Sequence, residues 1–591
     1  MIEKMKKVTL VCLASERQSA VTALQKLGTV HILPTVAPQS EELQELDRQL
    51  ENLNRVINYF SDLRLKKTDW EKQAGFSPEK ALQDACAALQ QLKANDDRLA
   101  VLEPAIERLT PWGEFSPEVL ERLQAAGWHY ALCSNSSGQL PELPENCYCQ
   151  LVQQSKNGCH FLVLSQDSLA ELDLPEEKFS HGRDLGALRR EQQALLAQQQ
   201  LLRQQLANLA GAHSPDFLNY QQQLERRKAF AQARDGMGLS GQELAYMHGY
   251  VPSAKLDELR ASAYRHGWAI RHEDADPEDL EVPTKLNIPK RFQMAQLILD
   301  FIGILPGYNE VDVSVSLLLF LSLFCGMLVG DAGYGLLFCL LGLYLYRRTA
   351  ARHGNLEPIK LLLLLSSCIL VYGMLSGNWF GLPSHRLPLF FRGIPWLRDD
   401  VDAANAKLLC FFIGAFHLSL ARIWAAIISA NLRQAIGNVG WAIFLWANFF
   451  TVKMLLISGG TLGPVVKGMY IFSTVLILVC AVNWRDFGDI IYTPFNFINS
   501  LVDVLSYIRL YAVGLSSFCI AESFNAMSMQ VWHSSPWLIP VGILVIFCGH
   551  CLNVALAGMG VLVHGIRLNT LEFSGHIGLE WGGKPYQPLA E

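Results

Sequence analysis

Arg509 stands in the middle of an apolar stretch, Ser506-Tyr507-Ile508-Arg509-Leu510-Tyr511-Ala512-Val513-Gly514-Leu515. A cation deep in a bilayer helix costs roughly 2.5–3.5 kcal/mol on insertion scales, so it needs a polar or ionic reason to stay. Its guanidinium remains protonated at any physiological pH and cannot shuttle protons itself. It can serve as a fixed electrostatic post. A carboxylate brought beside it gives up its proton; the same carboxylate moved into lipid is costly as an anion and takes a proton up. With two aqueous half-paths opening to opposite sides of the post, ion flow would have to accompany carboxylate movement. The pattern implies an ion pathway. No acid of this chain is obviously mobile, which puts the moving carboxylate on another subunit.

The apolar run that holds Arg509 also carries Asp503 and Glu522, whereas the next run has no Asp, Glu, Lys or Arg from Pro536 to Ile566 and then Arg567. His550 and His564 lie close to four helical turns apart, as do Asn553 and Arg567, so all four fall roughly on one side. That side reads as a polar stripe facing protein. Arg567, near an end, also fits a cation that snorkels to the interface, and His550 and Asn553 also fit interhelical hydrogen-bond partners. The fourteen cysteines are scattered without the spacing of a metal site, Cys548-Gly549-His550-Cys551 and Cys147-Tyr148-Cys149 being the closest approaches. Neither a metal nor a cofactor is expected. Gly582-Gly583-Lys584 is followed by Pro585 and no phosphate-binding loop occurs, so nucleotide chemistry is expected in other subunits.

These residues need helices long enough to cross a bilayer. The chain has 591 residues, a net charge of -6 and half its residues apolar, but the average hides a division. Up to about Pro289 it is rich in Gln, Glu, Arg and Lys; after about Asn309 it is dominated by Leu, Ile, Phe, Val, Gly and Trp. Apolar runs of spanning length, about 20 residues, fall near 313–330, 332–346, 360–378, 406–430, 437–457, 467–483, 496–530 and 537–566. About eight spans are expected, although the first two, parted only by Gly330 to Gly335, also fit one long tilted helix. The basic loop residues Arg347, Arg348, Arg352, Arg433, Arg485 and Lys584 orient both termini to the cytoplasm. Arg386, Arg392 and Arg398 lie in an outside loop, balanced by Asp399, Asp400 and Asp402. Runs seven and eight exceed bilayer thickness and are expected to tilt.

The first half reads as water-soluble, and its short apolar run Val8 to Ala14 fits a buried strand better than a secretory signal. Strand 7–13, helix 16–27 and strand Thr29 to Leu33 form a compact unit. Leu43, Leu46, Leu50, Leu53, Ile57 and Phe60 then recur at three- and four-residue steps, and similar stretches run from about Pro78 to Leu109 and Leu185 to Arg234. Narrow apolar stripes with polar flanks mark coiled-coil seams, here the antiparallel arms of one stalk. Between them lie a helix at Pro117 to Ala126, strands at His129 to Cys133 and His160 to Ser165, and loop signals at Asn135-Ser136-Ser137-Gly138. Strand Leu244 to Val251, helix Ser253 to Gly267 and another short strand follow, fit to complete the first sheet. The expected fold is an α-helical membrane protein with a cytoplasmic N-terminal α+β two-lobed domain joined by an antiparallel coiled coil. Its divisions are 1–290 for the cytoplasmic domain (proximal lobe 1–35 plus 236–290, coiled coil 36–109 plus 181–235, distal αβ lobe 110–180) and 291–591 for the transmembrane domain.

Six stretches carry a resemblance: Leu305-Pro306-Gly307-Tyr308-Asn309-Glu310, Gly326 to Gly335, Ser506-Tyr507-Ile508-Arg509-Leu510, Val563-His564-Gly565-Ile566-Arg567-Leu568, Glu572-Phe573 and Gly582-Gly583-Lys584-Pro585. In order and spacing they closely resemble the a subunit (subunit I) of the V-type and A-type rotary ATPases, of the bacterial V/A type. The resemblance implies a stator in a multi-pass plasma-membrane complex, itself without catalytic activity. Its soluble arm would hold peripheral stalks and meet a central-stalk subunit at the cytoplasmic face. Its membrane half would form two half-channels for H⁺ or Na⁺ against a ring of proteolipid c subunits, within lipid and with no nucleic acid. Arg509 matches the family's arginine that faces the ring carboxylate, and Arg567 its second arginine. Eukaryotic relatives place a histidine where this chain has Ser517 and a glutamate where it has Ala557, so those channel groups do not carry over. Glu522, His550, Asn553, His564 and Glu572 are the candidate half-channel groups, and Asp331 fits either a turn cap or an ionic role.

The main rival is a stand-alone secondary ion transporter or channel with a coiled-coil arm. It predicts internal repeats and matching broken helices, which the sequence does not display.

Overall fold

The computed structural model describes residues 2–590 except 64–75, 114–116, 136–143, 145, 156–157, 170–184, 242, 277–278, 353, 383–386 and 430. Ser136 to Gly138 and Arg386, named above, lie outside the described residues. In chain order the first half forms β1 (Met5–Leu13), α1 (Arg17–Leu27), β2 (His31–Leu33), α2 (Glu41–Asp62), α3 (Pro78–Leu109), α4 (Pro117–Ala125), β3 (His129–Asn135), β4 (Cys147–Ser155), β5 (Gly158–Ser165), α5 (Leu185–Asp235), β6 (Gly238–Ser240), β7 (Leu244–Pro252), α6 (Leu256–His266) and β8 (Ala269–Asp274). Packing groups the chain into two units: Met1–Val11, Leu27–Ile32 and His248–Ala590 in the larger, Cys12–Lys26 and Leu33–Met247 in the smaller.

In the smaller unit three long helices share one apolar seam. Leu43, Leu46, Leu50, Leu53, Val56 and Phe60 of α2 and Ala81, Leu82, Ala85, Ala88 and Leu92 of α3 pack with Leu202, Leu206, Phe217, Tyr220 and Leu224 of α5. Val56, not Ile57, takes the fully buried place. Polar contacts fix the direction: Arg234 meets Glu42 at 2.8 Å and Lys228 meets Asp47 at 2.6 Å, while Arg98 meets Glu191 at 2.7 Å and Tyr220 meets Glu79 at 3.5 Å. As α2 and then α3 advance, their partners on α5 recede, so α2 and α3 follow one another along a single returning helix of 51 residues, about 77 Å at 1.5 Å per residue. Beyond it β3, β5 and β4 form a three-stranded antiparallel sheet in the order β3-β5-β4, closed over Cys133, Cys159, Phe161 and Val163. Strand β4 has no counterpart among the expected elements, its alternation being hidden by Gln150, Gln153 and Gln154.

In the larger unit β1 pairs antiparallel with β8 from Lys6↔Asp274 to Val11↔Ala269. The rest comprises β9 (Pro283–Thr284), α7 (Met294–Ile302), α8 (Ser314–Val329), α9 (Ala332–Ala350), α10 (Glu357–Ser376), α11 (Asp399–Ile428), α12 (Leu432–Lys453), α13 (Pro464–Leu476), α14 (Phe487–Ser506), α15 (Ile508–Ser534), α16 (Ile539–Gly560), α17 (Ser574–Ile577) and β10 (Lys584–Pro585). All eight apolar runs are helical. Among the described residues six helical stretches are long and apolar enough to cross a membrane: Glu357–Ser376, Ala403–Ile428, Leu432–Ile457, Pro464–Ala481, Phe487–Ser534 and Pro536–Ile577. That is two fewer than the eight expected. The difference lies in α8, which has 16 residues, and in α9, whose last turn carries Arg347 and Arg348.

The first two runs are separate helices, and the reason is local. Gly330 ends α8 in the left-handed conformation with φ +60°. Asp331 then caps α9, its Oδ1 accepting from the amides of Gly333 at 2.7 Å and Tyr334 at 3.2 Å. Its Oδ2 accepts from the Gly381 amide at 3.3 Å. Of the two readings of Asp331, the geometry is that of the cap.

At the junction of α2 and α5, Arg234 donates to Glu42 and, through Nε at 2.7 Å, to Asp235. The hydrogen bond from Arg234 holds the Asp235 carboxyl below its ordinary value. A depressed carboxyl stabilises the fold above its unfolded value, near 3.9, and loses that contribution as pH falls through the lower folded value. Arg234→Gln is therefore expected to weaken the junction by on the order of 1 kcal/mol at neutral pH, read as faster amide exchange over residues 41–46 and 228–235. The gap between variant and parent should narrow once the pH drops below about 4; an undiminished gap at pH 3 would contradict this account of the clasp.

Candidate functional site

The membrane-like helices of the larger unit meet at a break between α14 and α15. Tyr507 occupies the break and is completely buried among Phe324, Met327 and Leu328 of α8, Phe411, Ala415 and Leu418 of α11, and Leu568. Its hydroxyl pairs with Nδ1 of the buried His417 at 2.7 Å, and that imidazole is stacked between Phe320 and Phe573. About two turns further, α15 comes so close to α8 that a Cβ at Gly514 would stand 2.6 Å from the Met327 carbonyl oxygen. The backbone on both sides of Arg509 is thus held by packing.

Arg509 reaches Glu572, its Nη2 lying 3.3 Å from Oε1. Arg567 meets the same oxygen from its own helix, Nε at 3.4 Å, and the Ser506 hydroxyl donates to it at 3.3 Å. Glu572 is buried, with 5% of its side chain exposed, against 25% for Arg509 and 53% for Arg567. Two permanent cations converge on one carboxylate, so the cluster carries a net positive charge and turns its guanidiniums toward the outer surface. A guanidinium has five donors, so both keep capacity for a second anion.

The meeting of Arg567 with Glu572 depends on helix type. After α16 the chain is π-helical over Val561–Gly565 and again over Leu568–Phe573. Five α-helical residues turn through about 500°, which would leave these side chains about 140° apart. In a π turn the i→i+5 bond closes the turn at about that spacing and brings the two onto one side. Wide turns of this kind concentrate at functional sites.

They also disturb the expected stripe. Asn553 is buried, hydrogen-bonded to Ser517 and donating to the Tyr334 hydroxyl at 3.2 Å. That hydroxyl lies 2.5 Å from His550 Nδ1, and His550 Nε2 lies 3.2 Å from Asn525 Oδ1. An amide oxygen only accepts, so Nε2 carries the proton and Nδ1 accepts from Tyr334. His550 and Asn553 thus form one satisfied network with neutral imidazole. Arg567 belongs to the other cluster. His564 sits in the π turn between them, half-buried, its Nδ1 buried without a hydrogen-bond partner among the described residues. Glu522 is exposed on α15 and takes no part in the arginine cluster.

A third group has no place in the sequence reading. Arg422, deep in α11, donates from Nε to His576 Nδ1 at 2.9 Å, and His576 Nε2 lies 3.0 Å from Asp503 Oδ2. Because arginine only donates, Nδ1 accepts and Nε2 holds the proton that bonds Asp503. Arg422 also lies over the Trp441 ring, 5.2 Å from its centroid. The group opens on a cavity of about 260 Å³ lined by Arg422, Asn438, Ser429, Val311 and His576. Arg422, like Arg509, is a charge inside an apolar run, and that pattern was the signal present in the sequence.

Glu572→Gln would leave two guanidiniums facing each other across a neutral amide. Breaking such a pair is expected to lower the stability of the larger unit by on the order of 3 kcal/mol, read as a lower thermal midpoint in detergent. Glu522→Gln, on the exposed face, should shift it by under about 0.5 kcal/mol. Equal midpoints for the two variants would remove Glu572 from its role.

No family model matches this chain. Among curated proteins it is similar to the V-type ATP synthase subunit I of Borreliella burgdorferi, 28% identical over 100% of this chain and 99% of that protein. It is 27% identical to V-type ATP synthase subunit I 1 of Treponema pallidum, over 100% of both chains. The A-type ATP synthase subunit I of Methanocaldococcus jannaschii is 23% identical over 71% of this chain and 65% of that protein. A crystal structure of the cytoplasmic N-terminal domain of subunit I, homolog of subunit a, of V-ATPase aligns with 45% of this chain and 100% of its own at 16% identity and a TM-score of 0.23, too low to argue a shared fold. The chain is thus similar to V-type ATP synthase subunit I proteins along its whole length and to an A-type ATP synthase subunit I over 71% of it.

Proposed function

We propose that this chain is the stator of a rotary V/A-type ATPase, which couples H⁺ or Na⁺ movement to rotation of a proteolipid ring and performs no nucleotide chemistry itself. The observation that carries the reading is the convergence of Arg509 and Arg567 on buried Glu572, with both guanidiniums partly exposed on adjacent long helices. A ring carboxylate arriving at that surface meets a net positive cluster and is held as the anion. Leaving for lipid, it must first be neutralised by an ion, since a bare carboxylate there is prohibitive. Glu572 keeps the two arginines in place without cancelling them.

Two polar groups flank the cluster and suit approaches from opposite sides. Asp503, His576 and Arg422 lead from beside the arginines to an open cavity, and His576 can take a proton on Nδ1 when Arg422 turns aside. Tyr334, His550, Asn553 and Asn525 form the second group. His564 stands between the two. A transmembrane field supplies roughly 2.3 kcal/mol per charge per 100 mV to an ion that crosses this path. The helices of the smaller unit, α2 and α3 against α5, suit the coiled-coil arm that would carry peripheral stalks, with both termini in the cytoplasm.

In the assembled complex Arg509→Ala is expected to abolish ATP-driven ion pumping while ATP hydrolysis continues. Retained coupled pumping refutes the proposal. Arg509→Lys should also impair coupling, because a point charge cannot reproduce the planar fork that reaches Glu572 and a second carboxylate together.

A further inference from the structure

Between α10 and α11 the chain carries Leu387-Pro388-Leu389-Phe390-Phe391-Arg392-Gly393-Ile394-Pro395-Trp396-Leu397, with one formal charge. Leu397 is buried, but most of the segment's large apolar side chains are not turned inward. Leu389 is 83% exposed, Phe390 80%, and Ile394 and Trp396 48% each. A contiguous apolar surface of this kind is a contact waiting for a partner.

The segment is fixed at one level of the molecule. The Ile394 amide donates to the Leu375 carbonyl in the last turn of α10 at 2.8 Å. Gly377 and Gly393, with φ +75° and +68°, bring their backbones so close that a Cβ at Gly377 would stand 2.2 Å from the Arg392 carbonyl oxygen. Phe391 is packed edge-on against Trp379 at 5.0 Å between centroids. The same turn is tied to α15, since Asn525 Nδ2 donates to the Phe380 carbonyl at 2.7 Å. Helix α10 has 20 residues, about 30 Å and thus the thickness of the hydrocarbon layer. Its C-terminal turn, and the segment stapled to it, fall at the boundary between acyl chains and headgroups.

The backbone suits that level. Pro388 and Pro395 have no amide donor. The amides of Phe391, Arg392, Ile394 and Leu397 are bonded within the protein, to Pro388, Leu389, Leu375 and Ile394 respectively. Arg392 donates to the Leu387 carbonyl at 2.8 Å. Few polar groups are left to demand water, yet an open loop cannot enter the hydrocarbon itself. Aromatic side chains are the residues that settle in the intervening layer.

We propose that residues 389–396 form an interfacial anchor, seated in the headgroup and upper acyl region of the leaflet that receives the end of α10. Lipid is the occupant because the patch continues the apolar surface of a membrane-length helix at its end. Through Phe380 and Asn525 the anchor sets the depth of α15 and therefore of Arg509. The inference rests on the reading of α10 and α11 as membrane spans.

The test places a photoreactive benzoylphenylalanine singly at Leu389, Phe390, Ile471 or Tyr264 in the full-length chain, in native membranes, and follows covalent lipid adducts after illumination. Ile471 is an exposed position in α13 and reports whether that helix meets lipid; Tyr264 is exposed on α6 and reports background. Lipid adducts at Leu389, Phe390 and Ile471 well above those at Tyr264 are expected. Adducts at Ile471 with none at Leu389 and Phe390 would overturn the anchor alone. Loss at all three would overturn the membrane reading and the anchor with it. Adducts of Leu389 or Phe390 with another protein would assign the patch to a protein partner and refute the proposal.

Discussion

One carboxylate between two guanidiniums sets the terms for the rest of the larger unit. Glu572 is buried where it holds the partly exposed Arg509 and Arg567, and burial of a charge is costly unless geometry and hydrogen bonds repay it. The repayment comes from close packing that fixes the geometry: Tyr507 wedged at the break of α14 and α15, His417 stacked beside it, and α15 pressed against α8 at Gly514. The apolar core of this region is best understood as the mounting of a small ionic object.

Charge placement extends the same logic outward. Two other polar clusters among these helices balance their own charge in different ways. Tyr334, His550 and the two asparagines satisfy one another with no net charge. Arg422 and Asp503 compensate each other through a neutral imidazole. Of these three clusters the one at Arg509 carries a net positive charge, which is the property a stationary post requires.

Much of this was legible in the chain. Arg509 is visible because an apolar run with one cation breaks a rule that depends on composition alone. Most of the strands, though not β4, and the long helices are visible because periods of two and of three to four residues are local, as α3 and α5 illustrate. What was not legible is what depends on departures from those periods. Glu572 comes to Arg567 through a π turn, whose spacing the α-helical wheel assigns to opposite sides. The stripe through His550, Asn553, His564 and Arg567 divides for the same reason. Arg422 was within reach of the composition rule, but its partners His576 and Asp503 lie 154 and 81 positions away in the chain. The division of the first two runs turned on Gly330 and the cap at Asp331, whose role only the fold distinguishes.

The two π segments also alter what a change in chain length would mean here. In an ordinary helix the removal of one residue rotates everything beyond it by about 100° and shortens the rod by 1.5 Å. Val561–Gly565 and Leu568–Phe573 each hold a residue in excess of the α-helical turn, so a single deletion within either could be absorbed by reverting to α-helix, with every hydrogen-bonded neighbour downstream unmoved. The region around Arg567 should thus tolerate loss of one residue better than the regular α-helical stretches before it.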